Sequence, residues 1–197
     1  MKIRILHILN TGSYSGAENV VITIIQNTAN NLDNIYLSLN GSIRDILNEK
    51  KIRFYAVEKL SVHNIRKAIR ELKPDIIHAH DFTAGIIASL STSKIPIINH
   101  LHNNSPWIKE VGINSIAYGL SCLRYRKILT VSDSVMNEFV FGYWFKKKSI
   151  VVGNPIDVRT IYSKIENIEL TEFPESDVLF LGRLSDQKNP IFFRDYC

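Results

Sequence analysis

Short apolar segments rich in isoleucine and valine alternate along this chain with longer segments in which apolar residues recur at helical spacing. The short segments predict seven β-strands at residues 3–9, 35–39, 53–57, 75–79, 96–101, 128–131 and 149–152. The longer segments predict amphipathic helices, with one apolar stripe over residues 20–29 and another over residues 65–72. This alternation is typical of βαβ units, whose strands are buried on both faces.

Two helix ends are also indicated by the sequence. Lys73 precedes Pro74, and the helix should end there because a residue before proline is disfavoured in the α region. Asp133 is a suitable N-cap for a later helix, which we expect to run through Val135, Phe139 and Val140. Right-handed crossovers between parallel strands would then place helices on both faces of the sheet.

The pattern predicts an α/β first domain over residues 1–152, built as a Rossmann-like parallel sheet with helices on both faces. From Gly153 the sequence becomes polar and less periodic, which predicts an interdomain linker over residues 153–176. A new apolar strand is predicted from Asp177, so residues 177–197 are interpreted as the start of a second, incomplete domain.

Ligands of such folds bind beyond the carboxyl ends of the strands, so the loops that follow the strands are candidate sites. The first loop contains Ser15 and Gly16 directly before a predicted helix. Glycine allows close backbone approach, and a helix N-terminus offers free N–H groups to an anion. The loop carries neither a Walker motif nor a GxGxxG motif, so a plain βα turn is an equally good interpretation.

Two histidine pairs mark the fourth and fifth predicted strands. His78 and His80 precede Asp81, and His100 and His102 follow in the next strand. Alternate residues of a strand share a face, so both rings of each pair should lie on the same side. If all the rings converge with Asp81, they could form the metal site of a hydrolase. Alternatively, one ring of each pair packs inside while the other, His80 or His102, lines the ligand crevice.

Composition and charge narrow the function classes. Hydrophobic residues make up 45% of the chain and charged residues 22%, as in an ordinary globular protein. The net charge of +5 favours anionic ligands or an anionic membrane surface. The sequence has no zinc-finger, RNP-like or basic-helix pattern, so we expect no nucleic acid partner. Two cysteines without CxxC spacing, and no apolar window near the ~18 residues of a membrane span, predict a reduced, soluble, cytoplasmic protein.

The segment 139–148 interleaves aromatic residues with a run of lysines. Aromatic rings and lysines suit a membrane interface that carries anionic lipid. The same residues also suit a helix C-terminus, whose lysines stabilise the helix dipole and whose rings enter the core. We favour the second interpretation, and the first leaves a peripheral membrane location open.

The segment 179–190 carries the clearest indication of chemistry. An apolar run stops at Gly182, and polar residues follow until a helix-compatible segment begins near Asn189. A strand, a loop and a helix N-terminus in this order commonly bind anions. Arg183 and Lys188 lie at the two ends of this loop, where their charges suit a diphosphate.

Four motifs make the chain resemble the family-4 retaining glycosyltransferases, which have the GT-B fold. The motifs are Ser-Gly-Ala-Glu at 15–18, Ile-Pro-Ile-Ile-Asn-His-Leu-His at 95–102, Gly-Asn-Pro-Ile-Asp at 153–157 and Gly-Arg-Leu to Gln-Lys-Asn at 182–189. They occur in the family's order and at its separations over nearly the whole chain. The first motif departs from the family's Gly-Gly-Ala-Glu, because Ser15 replaces the first glycine.

The resemblance implies transfer of a sugar from a nucleotide-sugar donor to a glycan or lipid-linked acceptor, with retention and with no metal or other cofactor. It also implies a role in surface polysaccharide or glycolipid synthesis at the cytoplasmic face of a membrane. The residues that it assigns are Gly16, Arg183 and Lys188 for donor binding, His102 for catalysis, and Ser15, His80 and Asp81 on the acceptor side. Arg183 and Lys188 would stabilise the charge that grows on the departing diphosphate.

The family's second domain also carries a Glu-x7-Glu pair and needs about 150 residues to close its core. The chain ends at Cys197 without them, so we expect it to be the N-terminal half of a GT-B enzyme and inactive alone. Two other functions stay open. One is a non-catalytic module that binds an acceptor or a partner, and the other is a metal-dependent hydrolase that uses His78, His80, His100 and His102.

Overall fold

Seven strands form one parallel sheet, as the apolar runs predict. The computed structural model describes residues 2–156, 158, 162 and 165. The sheet has the order β3-β2-β1-β4-β5-β6-β7. The strands are β1 (Ile3–Ile8), β2 (Leu32–Leu39), β3 (Phe54–Val57), β4 (Ile76–His80), β5 (Ile97–Leu101), β6 (Tyr125–Thr130) and β7 (Ser149–Val151). The predicted α/β, Rossmann-like class is therefore confirmed.

Helices connect the strands within the described residues. They are α1 (Gly16–Thr28), α2 (Ile43–Glu49), α3 (Val62–Leu72), α4 (Asp81–Ser91), α5 (Ile113–Cys122), α6 (Ser134–Glu138) and α7 (Gly142–Phe145), with 3-10 turns at Pro106–Lys109 and Lys146–Lys148. Ser61 caps α3 by accepting a hydrogen bond from the backbone N–H of Asn64 at 3.3 Å. Lys73 ends α3 in the left-handed region, with φ of 48°, which agrees with the expected effect of Pro74. None of these helices combines the length and the apolar character needed to cross a bilayer.

The helix predicted from Asp133 through Val140 is shorter than expected. It ends at Glu138, and the Asp133 side chain makes no capping hydrogen bond. The backbone N–H of Gly142 bonds to the carbonyl of Phe139 at 2.7 Å, and a Cβ on Gly142 would lie 1.9 Å from the carbonyl oxygen of Met136. The chain therefore reverses sharply here, and the turn buries the Phe139 ring in the core, which continuous helical periodicity does not indicate.

The two faces of the sheet have separate cores. On one face, Leu6 and Ile8 of β1 belong to a large cluster with residues of α3, α4 and α5. On the other face, Leu9 and Tyr36 pack with apolar residues of α1 and α2. His7 lies between Leu6 and Ile8, so it points to the face that α1 covers. This alternation places polar side chains of β1 on the same side as α1.

The strand order changes direction at β1. The chain builds outward from β1 through β2 to β3, then returns and continues on the other side through β4, β5, β6 and β7. Adjacent strands whose connections leave in opposite directions open a gap at their carboxyl ends, where ligands of such sheets bind. The gap lies between β1 and β4, which pair in register from Ile5 with Ile76 to Ile8 with Ala79.

The aromatic and basic segment has some rings in the core and others exposed to solvent. Phe139 and Phe145 are buried, whereas Tyr143 is 88% exposed and Trp144 is 72% exposed. Trp144 stacks on the partly buried Phe141, with ring centroids 5.7 Å apart. Some of the rings thus enter the core as expected, while two face solvent. The predicted linker and second domain lie almost entirely outside the described residues, so the boundary at 152 stays a prediction.

Candidate functional site

The loop after β1 delivers the N-terminus of α1 to the carboxyl edge of the sheet. A Cβ on Gly12 would lie 2.6 Å from the carbonyl oxygen of Asn40, so this loop packs directly against the loop after β2. The carbonyl of Gly12 also accepts a hydrogen bond from the N–H of Ile43 at 2.9 Å. Gly16 begins α1, and a Cβ there would meet no atom within 4 Å. A ligand can therefore approach the backbone at Gly16 closely.

Ser15 occupies the N-cap position of α1 but leaves the helix N–H groups unpaired by its side chain. Its hydroxyl instead donates to the carboxylate of Glu18 in the first helical turn. Glu18 is only 2% exposed, which is unusual for a carboxylate. The first N–H groups of α1 thus remain available to an anion, next to a buried acidic group.

Asp81 stands at a strained position where β4 passes directly into α4. Its φ is 70°, a left-handed value that non-glycine residues rarely adopt. Oδ1 of Asp81 is buried and makes no hydrogen bond to another described residue. Burial raises the pKa of this carboxyl to about 6, and the Glu18 charge adds to the rise, whereas a hydrogen bond from the backbone N–H of His102 opposes it. Asp81 therefore contacts the backbone of His102 and lies within electrostatic reach of Glu18 in the first turn of α1.

A buried amide fixes the backbone around Asp81. Nδ2 of Asn99 donates to the carbonyls of Ala79 at 3.1 Å and Asp81 at 3.0 Å. The Tyr118 hydroxyl donates to Oδ1 of Asn99 at 2.8 Å. A Cβ on Gly85 would lie 2.6 Å from Nδ2 of Asn99, so α4 needs a glycine to approach this amide. The hydrogen bonds of the buried Asn99 amide therefore maintain the unusual backbone conformation of Asp81.

Five histidine rings line the α1-side face of β1, β4 and β5, and we call them the histidine ladder: His7, His78, His80, His100 and His102. Neighbouring ring centroids are 4.2–5.6 Å apart. Four rings are buried and His102 is partly exposed. The prediction that each pair shares one face is correct. The ladder thus joins the core of the sheet to its ligand-binding edge.

Hydrogen bonds run along the ladder from the partly buried amide of Asn34 to the partly exposed ring of His102. Oδ1 of Asn34 contacts Nε2 of His7 at 3.1 Å, and Nδ1 of His7 contacts Nε2 of His80 at 3.3 Å. Nδ1 of His80 contacts Nε2 of His102 at 3.0 Å. Because Oδ1 can only accept, the consistent assignment protonates His7 and His80 on Nε2. Nδ1 of His80 then presents a lone pair to His102.

Burial keeps the ladder rings neutral at physiological pH. It lowers the pKa of His7 to about 4 and that of His100 to about 3. The pKa of His102 falls to about 4 for the same reason, although the nearby Asn154 side chain acts in the opposite direction. Burial and the neighbouring rings hold the pKa values of His78 and His80 well below the usual 6.5. The rings therefore act as hydrogen-bonding or ligating groups and carry no charge.

Among the predicted residues of the first domain, the structure brings His80, Asp81 and His102 into contact. Ser15 and Gly16 lie at the start of α1, whose Glu18 charge reaches Asp81, and His80 and Asp81 contact His102. Their individual roles stay predictions, as does the absence of a metal. Arg183 and Lys188 lie outside the described residues.

Sequence reasoning missed two members of the site. His7 extends the histidine pairs onto β1, and Asn34 on β2 orients it. A lone histidine inside an apolar strand was the available signal for His7. Its meaning depends on the pairing of β1 with β4, which spacing along the chain does not reveal.

Comparison with known proteins places these features in a family. The model of Glycosyltransferase Family 4 matches residues 14–160, about three quarters of the chain. A search of curated proteins found no match.

Solved structures of low sequence identity share the fold. Anabaena HepE in complex with UDP-glucose is 18% identical, with a TM-score of 0.68 over 83% of this chain and 49% of HepE. The UDP-N-acetylglucosamine 2-epimerase of Rickettsia bellii is 13% identical, with a TM-score of 0.62 over 86% and 50% of the two chains. The lipopolysaccharide outer core galactosyltransferase WaaB is 16% identical, with a TM-score of 0.61 over 80% and 47%. The chain thus spans about half the length of these proteins.

Proposed function

The chain belongs to Glycosyltransferase Family 4, and from this premise we propose that it forms the acceptor-side half of an enzyme that transfers a sugar from a nucleotide-sugar donor. The acceptor is a glycan or a lipid-linked sugar, and the anomeric configuration is retained. One observation carries the proposal: at the carboxyl edge of the sheet, the strained Asp81 contacts the backbone of the partly exposed His102 and feels the charge of Glu18 in the first turn of α1. The helix N-terminus is a suitable partner for an anion, Asp81 for a hydroxyl group and His102 for a sugar.

The donor is a uridine diphosphate sugar, since HepE of the same fold is known in complex with UDP-glucose. Gly16 lets the donor diphosphate approach the N–H groups of α1. Arg183 and Lys188 neutralise the departing diphosphate, as guanidinium and ammonium groups do elsewhere. These cations take the place that a divalent ion has in metal-dependent transferases, so the donor chemistry needs no metal.

The acceptor binds beside Asp81 and His102. A carboxyl group whose pKa is raised to about 6 and whose Oδ1 is unpaired can accept a hydrogen bond from a sugar hydroxyl. His102 lies next to it with a neutral ring, which accepts or donates without repelling the positive charge that develops on the reacting sugar. His80 orients His102 through the hydrogen bond between their rings, and Ser15 orients Glu18, whose charge acts on Asp81.

A second surface suits an acceptor that is held at the cytoplasmic face of a membrane. Leu120 of α5 is 63% exposed, and Leu123, directly after the helix, is 64% exposed; with Trp144 they line an apolar groove between α5 and α7. The lysines at 146–148 follow this groove directly. Exposed apolar and indole groups next to lysines match the interface of a bilayer with anionic headgroups.

Vesicle sedimentation tests the membrane part of the proposal. The chain should sediment with vesicles of phosphatidylglycerol and not with vesicles of phosphatidylcholine alone. Replacing Leu120 and Leu123 together with serine should abolish sedimentation, whereas replacing the exposed Leu90 of α4 with serine should not. Equal sedimentation by both variants would contradict the assignment of this surface.

The function itself is tested by binding and transfer. A polypeptide that carries this chain followed by a complete second domain should bind a UDP-sugar and transfer its sugar with retention, in the presence of a chelator. Arg183→Ala or Lys188→Ala should lower the transfer rate at least tenfold, as loss of a transition-state cation does. The 197-residue chain alone should transfer nothing. Transfer by the isolated chain, or no binding of any UDP-sugar by the longer polypeptide, would refute the proposal.

A further inference from the structure

The histidine ladder contains buried ring nitrogens that have no hydrogen-bond partner among the described residues. They are Nε2 of His78, both nitrogens of His100 and Nδ1 of His102. Buried polar atoms are nearly always paired in proteins, and an isolated exception calls for an explanation such as a bound ion. Three of the four atoms belong to His100 and His102, at the end of the ladder that is partly exposed.

We propose that His80, His100 and His102 bind one divalent transition-metal ion of the Zn²⁺ class. One nitrogen from each of these three rings lies within 4.8 Å of the others. Nδ1 of His80 and Nε2 of His102 are 3.0 Å apart and share the hydrogen bond assigned above, so an ion between them replaces this bond and shifts the His102 proton to Nδ1. Two nitrogens bound tetrahedrally at about 2.0–2.1 Å from zinc are roughly 3.3–3.4 Å apart. Small rotations of the rings therefore bring three ligands onto one ion.

The chemistry of the ligands selects the metal. Neutral imidazole binds Zn²⁺, Co²⁺, Ni²⁺ and Cu²⁺, whereas Mg²⁺ and Ca²⁺ prefer oxygen. Three histidines leave a fourth position open, which water or another ligand can fill. The ion selected by three imidazole ligands thus differs from the oxygen-preferring ions that would bind a diphosphate.

The buried end of the ladder supports this assignment. Nε2–H of His80 donates to His7, which in turn donates to Asn34, so the lone pair on Nδ1 of His80 faces His102. An outer partner that fixes the tautomer of a ligating histidine is a regular feature of metal sites. A second set of rings, His7, His78 and His80, also lies within 4.8 Å. In that set all three rings are buried, whereas His102 of the first set is partly exposed and gives an ion a route to the site.

The test uses the 197-residue chain after removal of metal with a chelator. Titration calorimetry with Zn²⁺ should give one site of micromolar or tighter affinity, and Co²⁺ should give the intense visible absorption of four-coordinate geometry. Zn²⁺ should also raise the melting temperature of the chain by several degrees. No Zn²⁺ binding, or binding with the weak absorption of six-coordinate Co²⁺, would overturn the proposal.

Matched variants locate the ion. His100→Leu should weaken Zn²⁺ binding at least a hundredfold, and His7→Gln should weaken it about tenfold through loss of the outer partner. His63→Gln, which changes an exposed histidine on α3, should leave the affinity unchanged. If His100→Leu fails to fold, as judged by circular dichroism, His102→Gln at the partly exposed position replaces it. Unchanged affinity in the ladder variants, or loss in His63→Gln, would overturn the assignment. His80 and His102 also belong to the proposed acceptor site, but this experiment measures metal binding by the chain alone, so its failure would leave the transfer proposal standing.

Discussion

Lowering the pH from 7 to 5 is expected to destabilise the domain, because its buried histidines are neutral when folded and take up protons when unfolded. Burial lowers the pKa of His7 to about 4 and of His100 to about 3, whereas both have a pKa near 6.5 in an unfolded chain. The unfolded state therefore binds more protons below pH 6.5. Stability is fully present above that pH and is lost as the pH falls toward the folded-state values.

The size of the effect follows from these pKa values. Each ring lowers the free energy of unfolding by about 1.4 kcal/mol per pH unit below 6.5, or by about 2 kcal/mol at pH 5. Asp81 acts in the opposite direction, since its pKa is raised to about 6 and it takes up a proton in the folded state. It offsets about 1.4 kcal/mol by pH 5. The net loss from these three groups is about 3 kcal/mol, a large part of the ~5–15 kcal/mol that stabilises a typical domain.

Other titratable groups face these rings from every adjoining element. His78, His80 and His102 are also held neutral and act in the same direction as His7 and His100. Among the described residues, Glu18 on α1 is a charge that lies close enough to influence Asp81. The fall in unfolding free energy between pH 7 and pH 5 should therefore be at least as large as the net value calculated from His7, His100 and Asp81.

Urea titrations between pH 5 and 7.5, in the presence of a chelator, measure the effect. Replacing His100 with leucine removes a ring without stranding a partner, since neither of its nitrogens bonds to a described residue. This variant should reduce the slope of unfolding free energy against pH by up to about 1.4 kcal/mol per unit. His63→Gln should leave the slope unchanged. A free energy that is flat or rises toward pH 5, or a slope unaltered by His100→Leu, would refute the reasoning.

Three further predictions concern the residues around Asp81 and α1. Gly85→Ala should lower the free energy of unfolding by about 1–3 kcal/mol in urea titrations, because the new Cβ would lie 2.6 Å from Nδ2 of Asn99. Gly153→Ala is the control: its Cβ would meet no described atom within 4 Å, so stability should not change. Tyr118→Phe leaves Oδ1 of Asn99 without its donor and should cost about 1–3 kcal/mol; equal stability would show that the bond contributes nothing. Gly16→Ala should leave the melting temperature unchanged but weaken UDP-sugar binding in the longer polypeptide, and unaltered affinity would exclude backbone approach at this position.

The parallel sheet could be predicted from the sequence because its strands are apolar on both faces and bounded by polar turns. The predicted strand bounds differ from the observed ones where exposed side chains interrupt the apolar run. The strand predicted from residue 128 begins at Tyr125, since Arg126 and Lys127 are exposed on an otherwise buried strand and hide its periodicity. The end of α6 could not be predicted, because it depends on the close contact of Gly142 with Met136 rather than on local preference.

The candidate site was only partly predictable for a related reason. Pairs such as His78 with His80 share a face by the geometry of a strand, and this follows from spacing alone. Contacts across strands depend on the order of the sheet, which places His7 beside His78 although 70 residues separate them in the chain. The left-handed conformation of Asp81 likewise depends on the buried amide of Asn99, a tertiary contact that the sequence does not display.

The most direct test of the proposed function is sugar transfer by a polypeptide that joins this chain to a complete second domain. With a radiolabelled UDP-sugar and a lipid-linked acceptor, we predict a product that retains the anomeric configuration. We also predict at least a tenfold loss of rate in His102→Ala, whose ring lies at the edge of the sheet beside Asp81. Absence of any transferred sugar, or an inverted product, or full activity in His102→Ala, would contradict the proposed site.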